Sequence, residues 1–289
     1  MHPIDTLLAR LDLDRLDRDL YRGHTPNDGR QRVFGGLVAA QALIAAYRTV
    51  DETDKFAHSL HGYFLRPGDP RGPILFDVDR IRDGKSFATR RIVARQEGEA
   101  IFNMSVSFHV HEEGLSHQER MPDTPPPEGL KSNSERLAEY AEQTSNPVFP
   151  FLLRLERPIE HRDPEPIDLL HPQPHRGLKR LWFRGAGRIP DNQALHQAVV
   201  TYASDMGLLD NCIQHHGHTW LDPNLMIASL DHALWFHRPL RADDWLLYSM
   251  KSPNAEGGRG FNTGRMYAAD GTLVASVAQE SLMRVKRGS

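Results

Sequence analysis

The chain is written twice, and that repetition limits what it can fold into. Tyr63-Phe64-Leu65-Arg66-Pro67 returns as Trp235-Phe236-His237-Arg238-Pro239, with Arg66 and Arg238 172 residues apart. Gly84-Lys85-Ser86-Phe87-Ala88-Thr89-Arg90-Arg91 returns as Gly258-Arg259-Gly260-Phe261-Asn262-Thr263-Gly264-Arg265 at a spacing of 174. Gly98 and Gly271 stand 173 apart, and Ile101 and Leu273 stand 172 apart. Four anchors at nearly constant spacing point to two copies of one structural unit. The 289 residues agree, being enough for about two average domains.

Each copy reads as a helix followed by four strands. In the first, the helix covers 35–49 and the strands lie near 57–65, 73–82, 86–96 and 100–109. Pro67-Gly68-Asp69-Pro70, Asp83-Gly84-Lys85 and Gln96-Glu97-Gly98 supply the turns. In the second, the helix covers 191–208 with Asp191 as N-cap, and the strands lie near 226–237, 245–251, 260–268 and 273–284. Asp270-Gly271 between alternating strands is a strong hairpin signal. Strands joined by short turns run antiparallel. Residues 37–47 are apolar except for Gln41. A helix apolar nearly all round has to be wrapped rather than laid on a surface. An antiparallel sheet curled around one buried helix is the hot-dog arrangement, and two such units sharing a sheet cover each other's edges.

The expected class is therefore α+β: a double hot-dog, two helix-plus-antiparallel-sheet repeats sharing one continuous sheet. The N-terminal repeat spans 1–111. A linker with a short helix spans 112–176, with Pro122, Pro125, Pro126 and Pro127 at its start and the helix at 134–143. The C-terminal repeat spans 177–289. The stretch 146–174 is rich in Pro and His and does not resolve into elements.

Composition narrows the function. The formal net charge is −3, which leaves no broad basic surface for nucleic acid. The single cysteine, Cys212, excludes an internal disulfide and a Cys-rich zinc site. The longest apolar run, 37–47, would reach about 16 Å as a helix, about half a bilayer, so no membrane span is expected. Charge enters the N-terminus too early for a secretory signal, and Arg287-Gly288-Ser289 is no peroxisomal tripeptide, so a cytoplasmic location is expected. There is no Gly-x-Ser-x-Gly elbow and no phosphate- or dinucleotide-binding loop. His215-His216-Gly217-His218 reads as a solvated loop. His58, His61, His109, His232 and His237 fall on strands, where a satisfied, half-buried histidine is the plain reading. No metal and no cofactor is expected.

Several motifs in order resemble one family. They are Tyr21-Arg22-Gly23, Arg32-Val33-Phe34-Gly35-Gly36 with Gln41-Ala42, His58-Ser59, Tyr63 to Gly68, and Asp83 to Phe87 with Arg90-Arg91. The second half adds Ser229-Leu230-Asp231-His232, Trp235 to Pro239, Trp245-Leu246-Leu247-Tyr248-Ser249, Arg259-Gly260-Phe261, Val274-Ala275-Ser276 and Gln279-Glu280. Over about 5–110 and 178–285 the chain resembles the acyl-CoA thioesterase II family of double hot-dog enzymes. The resemblance implies hydrolysis of acyl-CoA to a free acid and CoA, within fatty acid and lipid metabolism, and a homo-oligomer. It implies a catalytic trio of Asp205, Ser229 and Gln279 that activates water, with Ser229 where many members have Thr. The alternatives are a hot-dog enoyl-CoA hydratase, for which Asp28 lacks a following His, and a non-catalytic acyl-CoA-binding protein.

The residues' own pattern leaves the trio open. Asp205 falls on or beside the stripe Leu195, Ala198, Val199, Tyr202, Met206, where a buried carboxylate needs a partner, but it also suits a helix end before Gly207. Gln279 shares a strand face with Leu273, Ala275 and Val277, as a site residue or as a strand-to-strand hydrogen bond. Ser229 carries almost no signal. Gly35 and Gly36, opening the first helix, and Arg259 are expected to bind substrate. By repeat position Gln41 answers to Asp205 and Ser107 to Gln279, so one active trio per chain is expected.

Overall fold

The structure is a computed structural model and describes residues 2–51 and 54–286, so the C-terminal tripeptide considered above lies outside the described residues. In chain order the elements are α1 (Pro3–Leu11), β1 (Asp14–Asp17), β2 (Leu20–Gly23), α2 (Gly35–Tyr47), β3 (Lys55–Phe64), β4 (Ile74–Asp83), β5 (Phe87–Gln96) and β6 (Glu99–Val110). Then come α3 (Asn133–Gln143), α4 (Val148–Arg154), β7 (Ile159–Arg162), β8 (Lys179–Gly185), α5 (Gln193–Ser204) and α6 (Asp210–Gln214). The chain closes with β9 (Leu225–Ser229), β10 (Asp231–Phe236), β11 (Leu246–Glu256), β12 (Arg259–Ala268) and β13 (Leu273–Val285).

All these strands form one antiparallel sheet in the order β1-β2-β4-β5-β6-β3-β10-β13-β12-β11-β8-β7, with β9 added beside β13. Read outward from its centre, the order is the same on both sides: β3-β6-β5-β4-β2-β1 and β10-β13-β12-β11-β8-β7. The two halves join where β3 pairs with β10, Leu60 opposite Leu234. This is the expected double hot-dog. The repeated motifs do repeated work. Arg66 donates through Nη1 to the Ala100 carbonyl at 2.8 Å, and Arg238 to the Leu273 carbonyl at 2.8 Å. Gly98 and Gly271 both turn their hairpins with positive φ, +84° and +90°.

The helices explain the curl. From Gly36 to Ala46 every residue of α2 is buried, Gln41 included, and the sheet closes round it. Helix α5 is buried from His196 to Ser204 and lies against α2. Their termini are paired head to tail: the start of α2 meets the end of α5, and Tyr47 at the end of α2 bonds Gln197 near the start of α5.

Several local readings change. Asn192, not Asp191, caps α5, because its side chain accepts from Ala194 N at 2.9 Å while Asp191 pairs with Arg241. The strand expected over 226–237 is broken at Leu230, whose N–H donates to the Glu280 carbonyl and whose carbonyl accepts from Phe64 N. The stretch 146–174 holds α4 and β7, and β7 extends the sheet by pairing with β8. The elements α1, β1, β2, β8 and α6 had no clear sequence signal, although Ile4, Leu7 and Leu11 of α1 are buried at helical spacing. Among the described residues no helix is long and apolar enough to cross a membrane.

Arg90, of the repeated Arg90-Arg91 motif, is wholly buried. It donates from Nε to Thr49 Oγ1 at 2.8 Å and from Nη2 to the Thr49 carbonyl at 2.9 Å, and it pairs with Asp83. It thereby satisfies the chain just past the end of α2, where a cation is favoured by the helix dipole. Thr49→Val keeps the shape of residue 49 and strands a charged donor. It should cost about 1–3 kcal/mol in chemical unfolding; an unchanged midpoint would show that Arg90 needs no acceptor there.

Candidate active site

The three residues of the expected trio arrive from three elements. Asp205 is the C-cap of α5, in helical conformation, and Gly207 follows with φ +76°. Ser229 ends β9, just before the break at Leu230. Gln279 is fully buried on the inner face of β13. They converge on one carboxylate oxygen: Asp205 Oδ1 accepts from Gln279 Nε2 at 2.7 Å and from Ser229 Oγ at 3.2 Å. The break in the strand is what turns Ser229 toward Asp205 while β10 continues to the centre of the sheet.

The first half contributes as well. The first turn of α2 stands against the Asp205 carboxylate, and the Gly36 backbone amide favours its charged form. A helix N-terminus carries unsatisfied N–H groups and partial positive charge, so this is a favourable seat for an anion. The approach is close enough to require both glycines. A Cβ on Gly35 would stand 2.8 Å from Phe64 Cε1 and 2.9 Å from Asp205 Oδ2, and one on Gly36 would stand 2.5 Å from the Tyr202 carbonyl oxygen. Phe34 and Tyr202 close over this end with their rings edge to face at 5.0 Å.

Burial dominates the electrostatics. It pushes the Asp205 carboxyl up to about 6, against Gln279, Ser229 and the Gly36 amide, which all favour the charged form. A carboxylate poised there can both hold and release a proton near neutrality. Burial likewise pushes the His232 imidazole, one residue into the β10 strand, down to about 4, so it is neutral at pH 7.

Other sequence candidates lie elsewhere. Arg259 is half-exposed on the outer face, where its Nε donates to Glu280 Oε1 at 2.9 Å; it does not meet the trio, because alternation sends Glu280 outward when Gln279 points in. Ser107 also faces outward and bonds His58 at 2.8 Å. In sheet register the first-half row Arg90–Val106–Leu60 corresponds to the second-half row Asn262–Gln279–His232, so the counterpart of Gln279 is Val106. Gln41 donates to the Arg10 and His24 carbonyls and takes no part. Cys212 is buried, its thiol held by the Leu209 carbonyl and pushed up by burial. His218 bonds Asp222 at 2.6 Å. No group of three His, Cys, Asp or Glu among the described residues is arranged to hold a metal ion. Sequence reasoning passed over His232 as one more strand histidine. No signal in the sequence singled it out: its place opposite Gln279, one step beyond the Ala233–Ala278 pair, comes from the strand register.

A buried carboxylate beside a helix N-terminus, bonded by an amide and a hydroxyl, thus sits where the two hot-dog units meet. Family comparison gives the class. Residues 151–282 match the acyl-CoA thioesterase model and residues 24–109 the model of the acyl-CoA thioesterase N-terminal domain. The chain is 40% identical over 285 residues to mouse acyl-coenzyme A thioesterase 8, covering 96% of this chain and 88% of that one. It is 34% identical to acyl-CoA thioesterase 2 of Haemophilus influenzae, covering 97% and 98%. The crystal structure of acyl-CoA thioesterase II TesB2 from Mycobacterium marinum superposes with a TM-score of 0.78 at 41% identity, covering 99% of this chain and 100% of that one. The chain belongs to the acyl-CoA thioesterase family, hydrolases that act on acyl-CoA thioesters.

The raised carboxyl has a stability consequence. Between the ordinary value of 3.8 and about 6 the folded protein keeps a proton on Asp205 that the unfolded chain releases. The contribution is present at low pH and is lost as pH rises through about 6. Wild-type stability should therefore decline relative to Asp205→Asn across this window in chemical unfolding; parallel curves would show that Asp205 does not titrate there.

Proposed function

We propose that this chain hydrolyses acyl-CoA to a free carboxylic acid and CoA at one site per chain, with water activated by Asp205, Ser229 and Gln279. The supporting observation is the convergence of Gln279 Nε2 and Ser229 Oγ on Asp205 Oδ1 in a buried setting. Asp205 accepts a proton from water as the water oxygen attacks the thioester carbonyl carbon. Ser229, whose hydroxyl hydrogen points to Asp205, offers lone pairs to the same water and fixes its approach. The Gln279 amide keeps the carboxylate from turning. The tetrahedral oxyanion forms beside the N-terminus of α2, at Gly35-Gly36, where positive partial charge is already in place. Collapse breaks the C–S bond, and the proton on Asp205 goes to the departing CoA sulfur. The acid and the CoA thiol account for the elements of water.

The first half carries no second trio in this reading, since Val106 and Leu60 stand where Gln279 and His232 stand in the second. Residues 1–111 act as the wrapped partner that supplies the α2 terminus, and 177–289 carry the chemistry. Assembly of copies through the outer sheet face, where Phe56, Tyr63, Phe87 and Phe261 are exposed, belongs to the same reading, as does a reducing, cytoplasmic setting for the single thiol.

The test is release of free CoA thiol from a panel of short to long acyl-CoAs. Asp205→Asn should lower kcat about 10²–10⁴-fold. The wild-type kcat/KM should fall tenfold per pH step once the pH drops below about 6, where Asp205 is protonated. Near-wild-type turnover by Asp205→Asn would refute the base.

A further inference from the structure

Gln279 is held from two sides, and only one side belongs to the trio. Its Nε2 lies 2.7 Å from Asp205 Oδ1 and 3.1 Å from His232 Nδ1. A carboxylate oxygen only accepts, so the amide nitrogen must face Asp205. Its second hydrogen then points to His232 Nδ1, which must accept it. The imidazole proton is thereby placed on Nε2, which lies 2.7 Å from Ser204 Oγ. Ser204 in turn donates to the Thr201 carbonyl at 2.9 Å. Every hydrogen in this chain has one direction: Gln279 to His232, His232 to Ser204, Ser204 to the turn of α5 that ends in Asp205. Residues His232, Ser204 and Gln279 are all buried, so water does not compete for these bonds.

We propose that His232 is a positioning residue for the hydrolysis: its neutral Nε2–H form selects which end of the Gln279 amide faces Asp205. With the amide turned over, Gln279 Oε1 would meet the Asp205 carboxylate, two acceptors facing each other, and His232 Nδ1 would be left without its donor. The imidazole thus works through the amide and touches neither water nor thioester. Its low basicity, caused by burial, keeps the required form in place at neutral pH. Ser281 Oγ, 3.3 Å from Gln279 Oε1, holds the other end of the amide. The proposal rests on the trio reading, which places Gln279 beside the attacking water.

The experiment compares His232→Asn with His232→Gln in the full-length chain. Asparagine puts a carbonyl oxygen near the position of Nδ1 and can still accept from Gln279. Glutamine puts its head near the position of Nε2 and leaves the Nδ1 position empty. In the CoA-release assay His232→Gln should lose about 10–100-fold in kcat with KM within about twofold, the loss of one buried hydrogen bond expressed in rate. His232→Asn should stay within about threefold of wild type. In a Gln279→Ala background, His232→Gln should add nothing further. Wild-type kcat in His232→Gln, or an equal loss in His232→Asn, overturns the positioning role. Wild-type kcat in Gln279→Ala instead overturns the trio, so the two failures are told apart. Ser204→Ala, which leaves the ring in place and removes the acceptor of Nε2–H, covers the case in which His232→Gln does not fold. It should cost about 3–10-fold in kcat, and an unaltered kcat overturns the proposal.

Discussion

The close crossing of α2 and α5 is the contact on which the rest depends. The two antiparallel helices close up at this end because Gly35 and Gly36 have no side chain at the point where the Tyr202 carbonyl and the Asp205 carboxylate press in. That contact brings a helix N-terminus from one half against an acid from the other. An isolated carboxylate in this interior would be too costly to keep charged. Here it has an amide and a hydroxyl donor beside a helix N-terminus, and burial still lifts it to about 6. The fold thus makes a buried acid tolerable without silencing its titration near neutrality.

The sheet is nearly symmetric and its interior is not. From the β3–β10 seam outward both halves have the same strand order, and Arg66 and Arg238 brace equivalent edges. Yet one inner row is Arg90, Val106, Leu60 and the other is Asn262, Gln279, His232. The first buries an arginine that closes the end of its own helix through Thr49 and Asp83. The second buries amides and an imidazole beside the acid. Duplication thus supplied two shells of one shape, and a few inner-face residues set the second apart by surrounding a buried acid with polar partners. The first half remains part of the site through its helix terminus.

Much of this was legible in the chain. The spacing of repeated motifs, the all-apolar helix and the hairpin turns were enough for a double hot-dog, because each reflects a local rule of period or turn chemistry. The short flanking strands β1, β2, β7 and β8 were not legible: they are held by pairing with a distant neighbour rather than by their own pattern. The burial of Arg90 was not legible either, because arginine on a strand is usually solvated and only its tertiary partners Thr49 and Asp83 make burial tolerable. Arg259, expected to bind substrate, is carried by strand alternation to the outer face, where it pairs with Glu280.

By itself the sequence determined the duplicated architecture and, through its family motifs, which residues could form a site. Periodicity and motif order are written residue by residue and survive without coordinates. What tertiary structure alone decided is the site's geometry. The break at Leu230 turns Ser229 toward Asp205, the strand register sets His232 against Gln279, and the glycine contact brings Gly36 to a carboxylate some 170 residues away. These are relations between distant segments, set by packing and by the need to satisfy buried polar groups, and no local pattern encodes them.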